Sequence, residues 1–274
     1  MRKTLTIKPN PGELIKPKEL IEIRRSGALT LDDRRIYNRL LEHAWGPHLA
    51  DANHPHIIST TDLHITHSNN TKIRAALRRL RKTEVSITRA DGSILDLPLL
   101  STTIVNTTKN RGTITYYLPP LLAEILDDSQ IFAVLETEIL YAFGSKYALA
   151  LYENIARRIR LSHITDELFS VEQIRDLLGV PEGKLAAYKN LNKIAIQPAI
   201  AEVNALAPFT VTPTETLKSR RVTGIRLFWR QKTIEEKKEA YAELKRPRVG
   251  RAARIKGTAE YPSDDENLTL LDED

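Results

Sequence analysis

Residues 169–204 constrain the fold more than any other part of the chain. They read FSVEQIRDLLGV, a short polar turn, then KLAAYKNLNKIAIQPAIAEVN. The first part predicts a short helix, with Ser170 and Gln173 at capping-box spacing and Gly179 as the stop. The second part predicts a helix that is split end to end. Its front carries Lys184, Tyr188, Lys189, Asn192 and Lys193; its rear carries Ile194, Ile196, Ile200 and Val203. A helix lying along a surface would be striped lengthwise instead. The split fits a helix-turn-helix, whose second helix enters a DNA major groove by its N-terminal residues while its rear packs into the domain. Pro198 removes a backbone donor near the change of character and is expected to bend the helix there.

Two β-branched runs follow, FTVTPTE and VTGIRLFWR, joined by TLKSRR. They predict a hairpin whose tip carries Lys218, Arg220 and Arg221. The first half of the chain has the same order. Residues 29–45 read as a helix capped by Thr30, with Asp32 and Asp33 at its positive end, and residues 46–68 read as loop. SNNTKIRAALRRLRK then predicts a helix with Ile73, Ala76, Leu77 and Leu80 as its apolar stripe. Thr71, Lys72, Arg74, Arg78, Arg79 and Lys82 lie on its other faces. Strand runs follow, with turns at Asp91-Gly92 and Arg111-Gly112. A helix, a basic helix and then a hairpin is the order of a winged helix, the hairpin being the wing.

The expected fold is therefore α+β, a tandem pair of winged-helix domains followed by a disordered C-terminal tail. The first domain is placed at 1–126 and the second at 131–232, the latter opening with one long helix over 137–161. Residues 233–274 are read as a basic, then acidic, tail. KRPRVGRAARIK holds six bases and no acid, and the last fifteen residues hold seven acids and no base. The residues before that acidic end therefore carry +13, against +6 for the whole chain. A body so basic favours a polyanionic partner.

The absence of cysteine removes disulfides and thiolate chemistry. No apolar run is long enough to span a membrane, and the charged N-terminus lacks the apolar core of a secretory signal. A cytoplasmic protein is expected. Six of the seven histidines fall between His43 and His67. His64 and His67 are three apart, as two ligands on one helical face would be, but a polar loop is the preferred reading and no metal site is assigned. No Gly-rich phosphate loop or nucleophile triad stands out, so no catalytic residue, cofactor or enzymatic activity is expected.

Several segments in order, ELIEI, LTLDDRRIYNRLL, YYLPPLLAEIL, SKYALALYENI, FSVEQIRDLLGV and the run from Tyr188 through IQPAIAEVN, resemble the initiator proteins of iteron-controlled plasmid replication. The resemblance covers roughly residues 19–230. It implies two winged-helix domains that bind directly repeated double-stranded sites at a plasmid origin, help to open it and recruit host replication proteins, a helicase or initiator. It also implies a homodimer, formed through the first domain in equilibrium with monomer, that represses its own promoter. By resemblance, residues 188–193 read the groove and residues 71–82 contact phosphate. The protein would then act in a bacterial cytoplasm, on plasmid or nucleoid DNA. A winged-helix transcriptional repressor with no initiator role is the alternative.

Overall fold

The computed structural model describes residues 3–24, 26–65, 69–89, 91–106, 112–161 and 163–258. The expected features at Arg111, His67 and the acidic terminus from 259 lie outside them. The chain opens with β1 (Glu13–Pro17), the one-turn α1 (Lys18–Ile21) and α2 (Leu31–Ala44). Thr30 starts α2 as its sequence suggests: its hydroxyl accepts from the Asp33 N–H, and the Asp33 carboxylate accepts from the Thr30 N–H. Such a closed capping box is worth about 1 kcal/mol. Ile36, Leu40, Leu41 and Ala44 are buried.

The expected loop at 46–68 is more regular than that. Two 3-10 turns, Pro47–Ala50 and Thr60–Leu63, flank a strand, β2 (His56–Ser59). α3 (Asn70–Lys82) follows, its first turn capped by Asn69 and its predicted apolar stripe buried. β3 (Glu84–Thr88) and β4 (Ile94–Pro98) form a hairpin of their own. β5 (Thr103–Asn106) and β6 (Thr113–Tyr116) instead join β2, in the order β2-β6-β5. The wing is thus the second hairpin, and the first is an insertion between α3 and the wing.

α4 (Pro120–Asp128) leads to β7 (Phe132–Glu136), which pairs antiparallel with β1. This pairing ties the chain through residue 136 to the N-terminal unit, so the junction falls later than the expected 126–131. The single long helix expected over 137–161 is two helices, α5 (Thr137–Ala142) and α6 (Lys146–Arg158). Phe143 takes extended backbone between them, and the Ser145 hydroxyl caps α6 by accepting the Tyr147 N–H. Residues 148–156 of α6 are all buried, as befits a helix packed on every side.

The second unit adds β8 (Asp166–Ser170), α7 (Val171–Leu178), α8 (Tyr188–Leu191), α9 (Gln197–Leu206), β9 (Phe209–Lys218) and β10 (Arg221–Gln231). Its sheet order is β8-β10-β9, which repeats the first-third-second order of β2-β6-β5. The two units therefore share one topology. In the first unit the helix equivalent to α7 is reduced to the turn at Thr60–Leu63.

The units meet around a buried polar triad. Lys16 of β1 donates to Asn38 of α2 at 2.9 Å and to Glu153 of α6 at 2.8 Å, and Asn38 donates to Glu153 at 2.8 Å. Burial lowers the Lys16 pKa, and the Glu153 carboxylate opposes that shift. Every member is hydrogen-bonded, the condition under which such a network is tolerated in a core.

TIEEKKEAYAELK, which has the pattern of a terminal helix, forms one, and the expected flexible tail is corrected as far as residue 257. α10 (Ile234–Lys245) has a closed capping box at Thr233 and Glu236, and α11 (Arg251–Ile255) folds back against it. Arg251 is buried and donates to the Ala142 carbonyl at 3.0 Å; Arg254 pairs with Glu243 at 2.7 Å; Arg248 donates to the Phe143 carbonyl at 2.9 Å. This basic run closes the C-terminal end of α5 and its own helix pair. Carbonyls at the C-terminal end of α5 give Arg248 and Arg251 an internal use, and the Glu243 carboxylate gives Arg254 one. Among the described residues, no helix is long and apolar enough to cross a membrane.

Candidate nucleic-acid interface

The second unit builds its helix-turn-helix from local signals. The capping box at Ser170 and Gln173 starts α7, and Gly179 ends it in the left-handed region at φ 66°. Arg175 of α7 then reaches across the turn and donates to the carbonyls of Lys184 at 2.9 Å, Ala186 at 2.9 Å and Leu185. That arginine sets the entry of the next helix, a role no motif disclosed. Lys184 sits in this exposed turn, four residues before the helix on which it was expected.

Tyr188, Lys189, Asn192 and Lys193 lie along the front of the helical run from 188 to 206. The lysines are exposed, while Tyr188 and Asn192 are half-buried. A π-helical turn, Asn192–Ile196, joins α8 to α9, with the Gln197 N–H bonded to the Asn192 carbonyl. Pro198 explains it: its ring would crowd the carbonyl four residues back, and widening the turn makes room. The extra residue rotates the faces by roughly 100°. Ile194, expected in the core, is consequently 51% exposed, whereas Leu191, Ala195, Ile196, Ile200 and Val203 are buried.

Glu215 of β9 enters this front. Its Oε1 accepts from the Tyr188 hydroxyl at 2.7 Å and from the Asn192 amide at 3.4 Å. Burial and then this carboxylate raise the Tyr188 pKa, so the phenol stays protonated. The Asn192 Oδ1 is buried without a hydrogen-bond partner among the described residues. The Asn192 amide, expected to read the groove, is therefore turned inward and held by the wing. The wing tip itself matches expectation. Lys218 and Arg221 face each other across the two-residue turn Ser219-Arg220, both of whose residues have positive φ, and all three bases are exposed.

In the first unit, Thr71, Lys72, Arg74, Arg78 and Lys82 are exposed on α3. Arg74, Arg78 and Arg81 line a shallow groove with Thr103 and Val105 of β5, and Arg81 donates to the Thr103 hydroxyl at 3.2 Å. Arg81 was missed as a site residue, although its spacing of seven from Arg74 and three from Arg78 puts it on their face. Arg79 differs. It is bound at 2.7 and 2.8 Å to the buried Asp33 carboxylate, so its guanidinium is committed to the fold. The arrangement presents two exposed basic helix faces, each beside a hairpin, and suits a polyanionic duplex.

Of the two histidines spaced three apart, His67 lies outside the described residues. His64 hydrogen-bonds Asn70 at 3.0 Å, while His48, Asp51 and His54 converge elsewhere.

Residues 13–156 match the family described as Initiator Replication protein, WH1, and residues 170–229 match that described as Initiator Rep protein, WH2. The chain belongs to the initiator Rep protein family. This replication initiator is also similar in fold to the Pi initiator protein, crystallised in complex with iteron DNA. The identity is 14%, over 84% of this chain and 98% of that one, with a TM-score of 0.58. A structure of domains 2 and 3 of RctB aligns more loosely, at 12% identity over 74% of this Rep protein and 82% of that chain, with a TM-score of 0.42. No curated protein sequence matches it.

Proposed function

We propose that this Rep protein binds directly repeated double-stranded sites at a plasmid origin, one chain per repeat, and helps to open the duplex. The observation that carries the reading is the repetition itself. One chain presents two helix-and-wing units of the same strand order, α3 with β5–β6 and α8–α9 with β9–β10. Such a pair, set on successive major-groove faces about one helical turn apart, reads a site of roughly 20 bp. The exposed bases of α3 and of the second wing supply salt-dependent affinity, and the front of α8 supplies sequence preference. The fold similarity to an initiator crystallised on iteron DNA supports this reading. Opening draws on bending of adjacent repeats, with binding energy in place of bond hydrolysis and with no cofactor. Host replication proteins, a helicase or initiator, join the opened origin. A dimer in equilibrium with the monomer represses the promoter of the protein's own gene.

Enrichment from a random duplex library at about 150 mM salt tests this, with the oligomeric state read on the selected DNA. An asymmetric site near two turns long, bound by monomer, is the expected result. A palindrome bound only by dimer would make the protein a repressor, and no enrichment would overturn sequence-specific binding altogether.

A further inference from the structure

We propose that His48, Asp51 and His54 form a binding site for a divalent transition-metal ion of the zinc class, which pins the segment between α2 and β2. The three candidate ligand atoms already lie within 4.8 Å of one another. Backbone geometry brings them there. The Asp51 N–H donates to the His48 carbonyl and the His54 N–H to the Asp51 carbonyl, both at 3.1 Å. Two consecutive three-residue steps thus carry the three side chains to one side. Leu49, fully buried, anchors the first step in the core.

The side chains are arranged as ligands would be. The His48 and His54 rings stack at 4.3 Å between centroids, 13° from parallel, so the two imidazoles already lie side by side. Asp51 Oδ1 accepts the Asn53 N–H at 2.9 Å, which orients the carboxylate and leaves its other oxygen for an ion. A tetrahedral zinc with bonds of about 2.0–2.2 Å holds its donors roughly 3.4 Å apart. Small rotations of side chains that are exposed or half-buried close the gap to that distance. Next to the site, His56 is only 5% exposed, and its Nε2 has no hydrogen-bond partner among the described residues. Its ring meets that of His54 at 4.9 Å, so the polar cluster continues inward beyond the three ligands.

Two imidazoles, one carboxylate and no thiolate make a borderline-to-hard set that suits Zn²⁺ and leaves a fourth position for water. The ion would bind only where both turns are formed, and so would stabilise the lead into β2, the first strand of the first winged sheet. Nothing in this site belongs to the basic helix or the wing, and the inference does not depend on the DNA reading.

The test is equilibrium zinc binding to the full chain, in competition with a chromophoric chelator. One ion per chain is expected. His48→Ala and Asp51→Asn should each weaken it by at least about tenfold, since loss of a ligand costs no less than loss of an outer-shell partner. His64→Ala should leave it unchanged. His48 and Asp51 are exposed, so both variants keep the fold, as circular dichroism will check; His54→Ala joins them if it too stays folded. Failure to take up zinc in molar proportion overturns the site, as does uptake that His48→Ala and Asp51→Asn leave unaltered.

Discussion

Arg79 of α3 donates Nε and Nη2 to the two carboxylate oxygens of Asp33, the fully buried acid that closes the N-terminal capping box of α2. Removing the guanidinium leaves a buried carboxylate with, among the described residues, its capping bond alone. Arg79 is 40% exposed, so the full penalty for breaking a buried pair does not apply. Arg79→Ala should cost about 1–2 kcal/mol in urea unfolding. Arg78, one residue earlier and exposed, should behave oppositely. Arg78→Ala should leave the unfolding midpoint in place but weaken all duplexes alike and reduce the salt slope by about 1. Equal midpoints for the two variants would show that the pair to Asp33 carries no weight.

Glu215 is an acid on a surface otherwise chosen for bases, and it holds Tyr188 and Asn192 together. Glu215→Gln removes a charge that repels phosphate and loosens the Asn192 amide. Affinity for random duplex should rise, and discrimination between the selected site and single-base variants should fall by about tenfold, the worth of one lost base-specific pairing. Competition binding reads both. If discrimination is unchanged, Asn192 does not read a base from the conformation that Glu215 sets.

What was legible in the sequence was local. Ser170, Gln173 and Gly179 specify a helix and its end within ten residues, and Lys218 to Arg221 specify a two-residue hairpin turn. Pro198 was legible as a disturbance, but not as a π turn, and that one extra residue moved Ile194 from core to surface. Remote partners hid the rest. β2 is a strand because β6 pairs with it from the far side of the insertion hairpin. Arg251 looks like part of a solvated basic run until the Ala142 carbonyl is seen to accept from it. Glu215 was invisible because a search for nucleic-acid contacts looks for bases, and this acid acts on the reader rather than on DNA.

Lys146 at the start of α6 donates to the carbonyls of Gly27 at 2.7 Å and Leu29 at 3.4 Å. Burial, and after it the nearby charge of Arg34, push its ammonium down to about 8, with Asp33 pulling the other way. The unfolded chain keeps a lysine near its ordinary 10.5. Between those values the unfolded state holds a proton that the folded state has released, so this group makes stability rise with pH across the window. Below about 8 both states are protonated and the burial penalty stands in full. In Lys146→Met the rise should vanish while the other pH dependence remains. Parallel stability profiles for the two proteins between pH 8 and 10.5 would rule out a lowered lysine.

Gly27 and Pro181 touch across the two winged-helix units. A Cβ on Gly27 would stand 2.5 Å from Pro181 Cα and 2.7 Å from its nitrogen, distances that backbone atoms cannot accept without moving. Neither residue belongs to a basic face or a wing. Gly27→Ala should therefore shift one unit against the other while leaving each unit's own contacts intact. Two readers on one chain reinforce each other only when their spacing matches the site, and that gain is lost when geometry forbids simultaneous engagement. The expected result is unchanged affinity and salt dependence on random duplex, with at least about a tenfold loss on the selected two-turn site. Inserting one base pair between the half-sites then separates the explanations. Recovery of binding by the variant on any altered spacing would prove a displaced reader, and loss on every spacing would mean that the substitution damaged a unit itself. Wild-type affinity for the unaltered site would mean that the units read DNA independently.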